Sequence, residues 1–146
     1  MKLRALIVDD EKPARDKIRY FLELDSDIEI IGESNSGQEA LQIIRTNCPD
    51  LLFLDIQMPL MDGFALLKRS GSKRPPIVIF VTAYDEYAVK AFETNAVDYL
   101  LKPFTRKRFE AALRKVKEQI HKKSIPDSAE QAFAVLRQIQ NENKYI

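Results

Sequence analysis

The sequence predicts a doubly wound α/β domain, and three observations carry that prediction. Strand-like and helix-like patterns alternate five times along the chain. Three of the strand-like runs are almost continuously apolar, as central parallel strands covered on both faces must be. Carboxylate, hydroxyl and amine side chains follow the strand-like runs, where an open α/β sheet presents its reactive groups.

The elements follow in order. Leu3-Arg4-Ala5-Leu6-Ile7-Val8 reads as a strand over 3–8, ending in Asp9 and Asp10 with Glu11 next. Ala14, Ile18, Phe21 and Leu22 recur at i, i+4, i+7 and i+8, the period of a helix with one buried face. A second strand at 28–33 precedes a helix marked by Ala40, Leu41 and Ile44. The third strand, 51–54, runs into Asp55, then Ile56-Gln57-Met58-Pro59 and a turn at Asp62-Gly63. Phe64 and Leu67 mark a short third helix. A fourth strand at 77–81 ends in Thr82, and Ala88, Ala91 and Phe92 mark the helix after it. The fifth strand, 97–100, leads to Lys102-Pro103, and Phe109, Leu113, Val116 and Ile120 stripe the last helix. Units of this length imply right-handed crossovers and helices on both faces of the sheet.

At 146 residues and 45% hydrophobic content the chain can bury a sizeable core without disulfides or metals. Cys48 is the lone cysteine, which fits a reducing cytosol, and it reads as a small buried residue. No apolar run approaches the ~18 residues of a membrane span, and the N-terminus enters a strand, so a cytoplasmic, membrane-free protein is expected. A formal charge of +1 gives no global reason to bind nucleic acid. Arg106, Lys107, Arg108, Arg114, Lys115, Lys117, Lys122 and Lys123 are interleaved with Glu110 and Glu118. They read as a solvated or interface helix face, with no direct DNA binding by this chain.

After residue 122 the pattern changes. His121-Lys122-Lys123-Ser124-Ile125-Pro126-Asp127 is charged and ends in a helix-breaking proline, so 123–146 reads as a linker and an extra helix. Ser128 and Gln131 can form a capping box, and Ala132, Val135, Leu136 and Ile139 stripe that helix. Tyr145-Ile146 looks like the start of another strand, so an absent output domain is expected beyond a 1–122 domain. A C-terminal helix docked on its own domain is the plainer alternative.

The strand-end residues have commoner structural uses. Asp9-Asp10 before a helix can cap it, Asp55 before a proline and glycine can form a turn, Thr82 can cap a helix, and Lys102 can be a surface lysine. Their joint placement after the first, third, fourth and fifth strands favours chemistry. A carboxylate can attack phosphorus to give an acyl phosphate. Crowded Asp9, Asp10 and Asp55 would raise one another's pKa values, which a hard divalent cation relieves. Mg²⁺ suits a site with few protein oxygens, several waters and a phosphate.

This order of residues resembles the receiver domain of two-component response regulators over residues 2 to about 122. The segment Val81-Thr82-Ala83-Tyr84-Asp85-Glu86-Tyr87-Ala88, continued by Tyr99-Leu100-Leu101-Lys102-Pro103-Phe104, looks most like the LytTR-type regulators. The resemblance implies a flavodoxin-like (βα)5 fold with strand order 2-1-3-4-5. It implies that Asp55 accepts a phosphoryl group from a sensor histidine kinase. Asp10, Asp55 and the Gln57 backbone carbonyl would hold Mg²⁺, with Asp9 acting through water. Lys102 and Thr82 would contact phosphoryl oxygens, and Tyr99 would turn inward as Thr82 moves. Lys102-Pro103 matches a bond that receivers usually hold cis. Signalling would pass through a homodimer, formed by Tyr87, Lys90 and Glu93 with Glu110, Arg114 and Lys117 of the last helix, or by the tail helix. Transcription would be regulated through a missing β-rich DNA-binding domain, or else a stand-alone receiver would signal by protein contacts.

A haloacid dehalogenase-type phosphatase shares the aspartate, Mg²⁺, hydroxyl and lysine but needs an acid two residues after its nucleophile. Gln57 stands there and cannot titrate. A flavin-binding protein of similar topology is disfavoured because the loop after the first strand is acidic and lacks glycine. The sequence therefore predicts a phosphoacceptor that catalyses only its own phosphorylation and slow dephosphorylation.

Overall fold

The computed structural model describes residues 2–71 and 74–123. Its elements are β1 (Leu3–Val8), α1 (Lys12–Glu23), β2 (Ile28–Ser34), α2 (Gly37–Asn47), β3 (Leu51–Leu54), α3 (Gly63–Ser70) and β4 (Ile77–Thr82). A single 3-10 turn (Asp85–Tyr87) runs into α4 (Ala88–Glu93), followed by β5 (Asp98–Leu101) and α5 (Arg106–Lys123). The five strands are parallel, as expected from the alternating pattern, and ordered β2-β1-β3-β4-β5, the order that the resemblance implied.

Alternation within the apolar runs builds two cores. Ala5, Ile7, Leu51, Phe53, Ile79 and Val81 face Ile18 and Leu22 of α1 and Phe109, Ala112 and Val116 of α5. Their neighbours Leu6, Val8, Leu52, Leu54, Val78 and Phe80 face Ala40, Ile44, Phe64, Leu66 and Ala91 of α2, α3 and α4. Successive strand side chains point to opposite faces, so an unbroken apolar run serves both layers. Phe109 stacks on Phe53 at 5.4 Å and on Phe104 at 5.8 Å, which fixes α5 over the centre of the sheet.

Register brings the strand ends together. Val8 lies opposite Leu54, so the next residue of each strand, Asp9 and Asp55, emerges at the same level. Thr82 lies opposite Leu101, which puts Lys102 just beyond it. The helix starts are locally encoded. Ser36 accepts from Glu39 N to cap α2, and Asp62 accepts from Ala65 N at 2.7 Å to cap α3, so the Asp62-Gly63 turn is a helix entry.

Four expectations are corrected. The fifth strand starts at Asp98, Val97 making a backbone bond to Val78 just outside it. Phe92 is exposed, because six residues of α4 leave only Ala91 buried. Cys48 is exposed too: it ends α2 in a left-handed conformation (φ 46°), which turns its side chain away from the core. The linker predicted from His121 starts too early, since 121–123 continue α5; its remainder at 124–127 and the helix striped by Ala132, Val135, Leu136 and Ile139 lie outside the described residues.

Candidate functional site

Backbone bonds between neighbouring strands set the depth of the acids. Asp55 N donates to Val8 O at 2.9 Å and Asp9 N to Ser34 O at 3.0 Å. Both carboxylates are consequently buried, Asp9 at 1% and Asp55 at 4% exposure. Gly63 fits tightly beneath Asp55: a Cβ there would come within 2.7 Å of the Asp55 carbonyl oxygen. Gly63 N donates to Ile56 O at 2.8 Å, so the loop after β3 folds back under Asp55 only because position 63 has no side chain.

Carboxylate oxygens of Asp9, Asp10, Glu11 and Asp55 lie within 4.8 Å of one another. Lys102 reaches over them, its ammonium 2.8 Å from Asp9, 3.1 Å from Glu11 and 3.4 Å from Asp55. Burial and then repulsion from Asp9 push the Asp55 carboxyl up to about 6, against the pull of Lys102. Burial works against the Lys102 charge, yet the neighbouring Asp9, Asp55 and Glu11 carboxylates hold its pKa above the ordinary lysine value. Neither Asp9 nor Asp10 caps α1. Glu11 is the N-cap residue, without a side-chain cap, and donates its N–H to Asp9 Oδ1 at 2.9 Å.

These residues suit a hard cation. Asp9 Oδ2 is the one buried side-chain oxygen among the described residues that takes no hydrogen bond, its contact with Lys102 being an ion pair. One ammonium faces four carboxylates, an excess of negative charge that a divalent ion would offset. All the donors are oxygens, which favours Mg²⁺ over a softer metal. Glu11 joins this cluster although its sequence reading gave it no role. Its adjacency to Asp9-Asp10 was the available signal.

Thr82 is fully buried at the end of β4, its hydroxyl accepting weakly from Tyr84 N at 3.4 Å. Tyr99 is half-buried against the α2–α4 core, and its hydroxyl donates to the Tyr84 carbonyl. Burial pushes the Tyr99 phenol above its ordinary value. The Lys102-Pro103 bond is cis, as the sequence suggested. Gln57 sends its side-chain amide to the Tyr87 hydroxyl at 2.8 Å, tying the loop after Asp55 to the start of α4. That contact spans thirty residues and has no local sequence signal.

The residues expected to form a dimer face are not all together. Tyr87 and Lys90 border an open cleft beside Gln57 and Phe64. Glu110, Arg114 and Lys117 instead line a groove with Phe21, Leu24 and Asp25 at the end of α1, and Lys117 pairs with Asp25 at 2.7 Å. The helical period rotates these α5 positions away from α4. Several basic residues are also neutralised internally: Arg108 and Lys115 grip the buried Asp98, and Arg106 pairs with Glu110.

Among the described residues no helix is long and apolar enough to cross a membrane. Residues 5–114 match the response regulator receiver domain family. The chain is 47% identical over 120 residues to the sensory transduction protein LytT of Bacillus anthracis, covering 80% of this chain and 48% of that protein. It is 43% identical over 123 residues to the transcriptional regulatory protein BtsR of Escherichia coli K12, covering 84% and 52%. It thus spans about half the length of these curated relatives. Among solved structures, the response regulatory domain of mrkE from Klebsiella pneumoniae superposes with a TM-score of 0.77 at 34% identity, covering 82% of this chain and 99% of that one. The REC domain of AraT, a response regulator from Geobacillus stearothermophilus, gives 0.78 at 36% identity, covering 86% and 100%.

Proposed function

The chain belongs to the response regulator receiver domains, and from that premise we propose that it accepts a phosphoryl group on Asp55 from a sensor histidine kinase. One observation carries the assignment: the buried Asp55 carboxylate lies 3.4 Å from the Lys102 ammonium inside a cluster of three further acids. Asp55 attacks phosphorus through a carboxylate oxygen, the bond from phosphorus to the donor nitrogen breaks, and an acyl phosphate forms. Asp10, Asp55 and the Gln57 carbonyl would hold Mg²⁺, with Asp9 behind them. When bound, the ion supplies positive charge against the phosphoryl oxygens. Lys102 stabilises the same developing charge as a point ammonium. Thr82 offers its hydroxyl to a further phosphoryl oxygen, and Tyr99, tethered to Tyr84, follows the loop that Thr82 moves. Gln57 cannot deliver or remove a proton, which favours a persistent phosphoryl group over turnover. The acyl phosphate then breaks down slowly by self-catalysed hydrolysis.

The likeness to LytT and BtsR supports transcriptional regulation through a LytTR-type DNA-binding domain, with residues 123–146 as the connection and the cytoplasm as the location. A stand-alone receiver acting by protein contacts is the second reading. Pairing of Arg106, Arg108, Lys115 and Lys117 with carboxylates weighs against DNA binding by this fragment itself.

A small-molecule phosphodonor with Mg²⁺ should add one hydroxylamine-labile phosphoryl group. Asp55→Asn is expected to abolish it and Asp10→Ala to remove most Mg²⁺ affinity, read by intact mass and cation titration. Normal labelling of Asp55→Asn would refute the acceptor assignment.

A further inference from the structure

Outside the acid cluster, one arginine holds the loop that carries it. Arg15, on the first turns of α1, donates from Nη1 to the Asp9 backbone carbonyl at 2.7 Å. Its guanidinium is held in turn by Glu33 near the end of β2, with Arg15 Nε 3.5 Å from Oε1. The other Glu33 oxygen accepts from Arg19 Nε at 2.6 Å. Arg15 is mostly buried, at 16% side-chain exposure, so the fork has little freedom to swing away.

The Asp9 carbonyl belongs to the rigid peptide plane that also contains Asp10 N. Asp9 is otherwise fixed through its N–H, bonded to Ser34, its Oδ1, bonded to Glu11 N, and its Oδ2, paired with Lys102. Rotation of the Asp9–Asp10 peptide is the remaining freedom, and it would carry the exposed Asp10 carboxylate away from its like-charged neighbours. Repulsion among acids within 4.8 Å drives that rotation, and the Arg15 bond opposes it.

We propose that Arg15 is a positioning residue for the phosphoacceptor site, locking the Asp9–Asp10 peptide so that Asp10 faces the Mg²⁺ position before the ion arrives. The proposal rests on the phosphoacceptor reading but concerns cation binding alone. Its sign separates it from simple electrostatics. A guanidinium near an acidic site competes with a cation, so removing its charge would tighten Mg²⁺ binding if charge were its whole effect. Loss of positioning weakens binding instead.

The test is Mg²⁺ titration of the full chain, without phosphodonor, followed by backbone amide NMR. Arg15→Met is expected to weaken Mg²⁺ about tenfold, equivalent to about 1.4 kcal/mol. Glu33→Gln, which loosens the guanidinium but leaves it charged, should weaken binding by a smaller factor of about three. Arg15→Lys retains the charge yet cannot reach the carbonyl and Glu33 together, so it should fall between wild type and Arg15→Met. Unchanged or tighter binding in Arg15→Met, with amide shifts elsewhere preserved, would overturn the positioning role. If Arg15→Met does not fold, Glu33→Gln and Arg15→Lys decide: weakened binding in both supports the role, and wild-type affinity in both overturns it. A wild-type chain without Mg²⁺ binding would overturn the proposal together with the reading beneath it.

Discussion

Asp55 is stabilised least in the ionised form that the proposed phosphoryl transfer needs. An unfolded aspartate titrates near 3.9, whereas burial and Asp9 push Asp55 up to about 6. The folded protein therefore holds more protons than the unfolded chain between roughly pH 4 and pH 6, and stability falls as pH rises through that window. At neutral pH the ionised group costs about 3 kcal/mol before solvent screening and on the order of 2 kcal/mol after it. Asp55→Asn removes that cost while Lys102 keeps Asp9 and Glu11 as partners. Without Mg²⁺, the variant should gain about 1–2 kcal/mol at pH 7 and nothing near pH 4, read by urea unfolding at both values. An equal gain at both pH values would contradict this account. Asp9, Asp55, Thr82 and Lys102 were legible because each follows an apolar run. Arg15 and Gln57 act through partners far along the chain, so no local pattern could announce them. Cys48 was misread because composition cannot foresee a left-handed helix end.

At the level of elements, α5 shows what periodicity can and cannot reveal. Phe109, Leu113 and Val116 were visible as a stripe and are buried. The partners of Phe109, Phe53 and Phe104, depend on register and were not visible. Phe109→Ala should cost about 3–5 kcal/mol, while Phe92→Ala, on the exposed face of α4, should cost under about 0.5 kcal/mol. Chemical denaturation of both variants checks the contrast, and similar costs would show that the burial of α4 is misjudged. The strands were legible almost to the residue because long apolar runs admit few endings. The six-residue α4 was overread: so short a helix buries only Ala91 and leaves the neighbouring Phe92 exposed.

For the whole molecule, a phosphoryl signal must become a change that another chain or domain can feel, and an isologous dimer is a simple route. With Glu110, Arg114 and Lys117 turned toward α1, a dimer face beside α4 and β5 would have to use other residues. Val89, Phe92 and Leu101 are exposed apolar side chains on those two elements. We expect a weak dimer, strengthened by a phosphate mimic at Asp55, because the signal biases an existing equilibrium. Sedimentation with and without the mimic should show the shift in the full chain, and Phe92→Glu should abolish it. A dimer lost instead on truncation near His121 would assign association to the tail. Fold and site were legible together, since both follow from strand ends at one edge of one sheet. The assembly face was not, because it depends on how far each helix is rotated.

The Tyr99–Tyr84 tether also gives the protein an optical property. The chain has no tryptophan and five tyrosines, and three of them, Tyr84, Tyr87 and Tyr99, gather where Thr82 ends β4. A phenol that donates to a carbonyl absorbs and emits differently from one released into water or turned into a core. Tyrosine emission is thus unobscured by tryptophan, and three of the five tyrosines lie in or against the segment that a phosphoryl group on Asp55 would move. Stepwise addition of a phosphate mimic should change near-ultraviolet circular dichroism and tyrosine emission together, with one midpoint. Tyr99→Phe should remove most of that change while leaving mimic binding intact. The switch would then carry its own native chromophore, readable without any label.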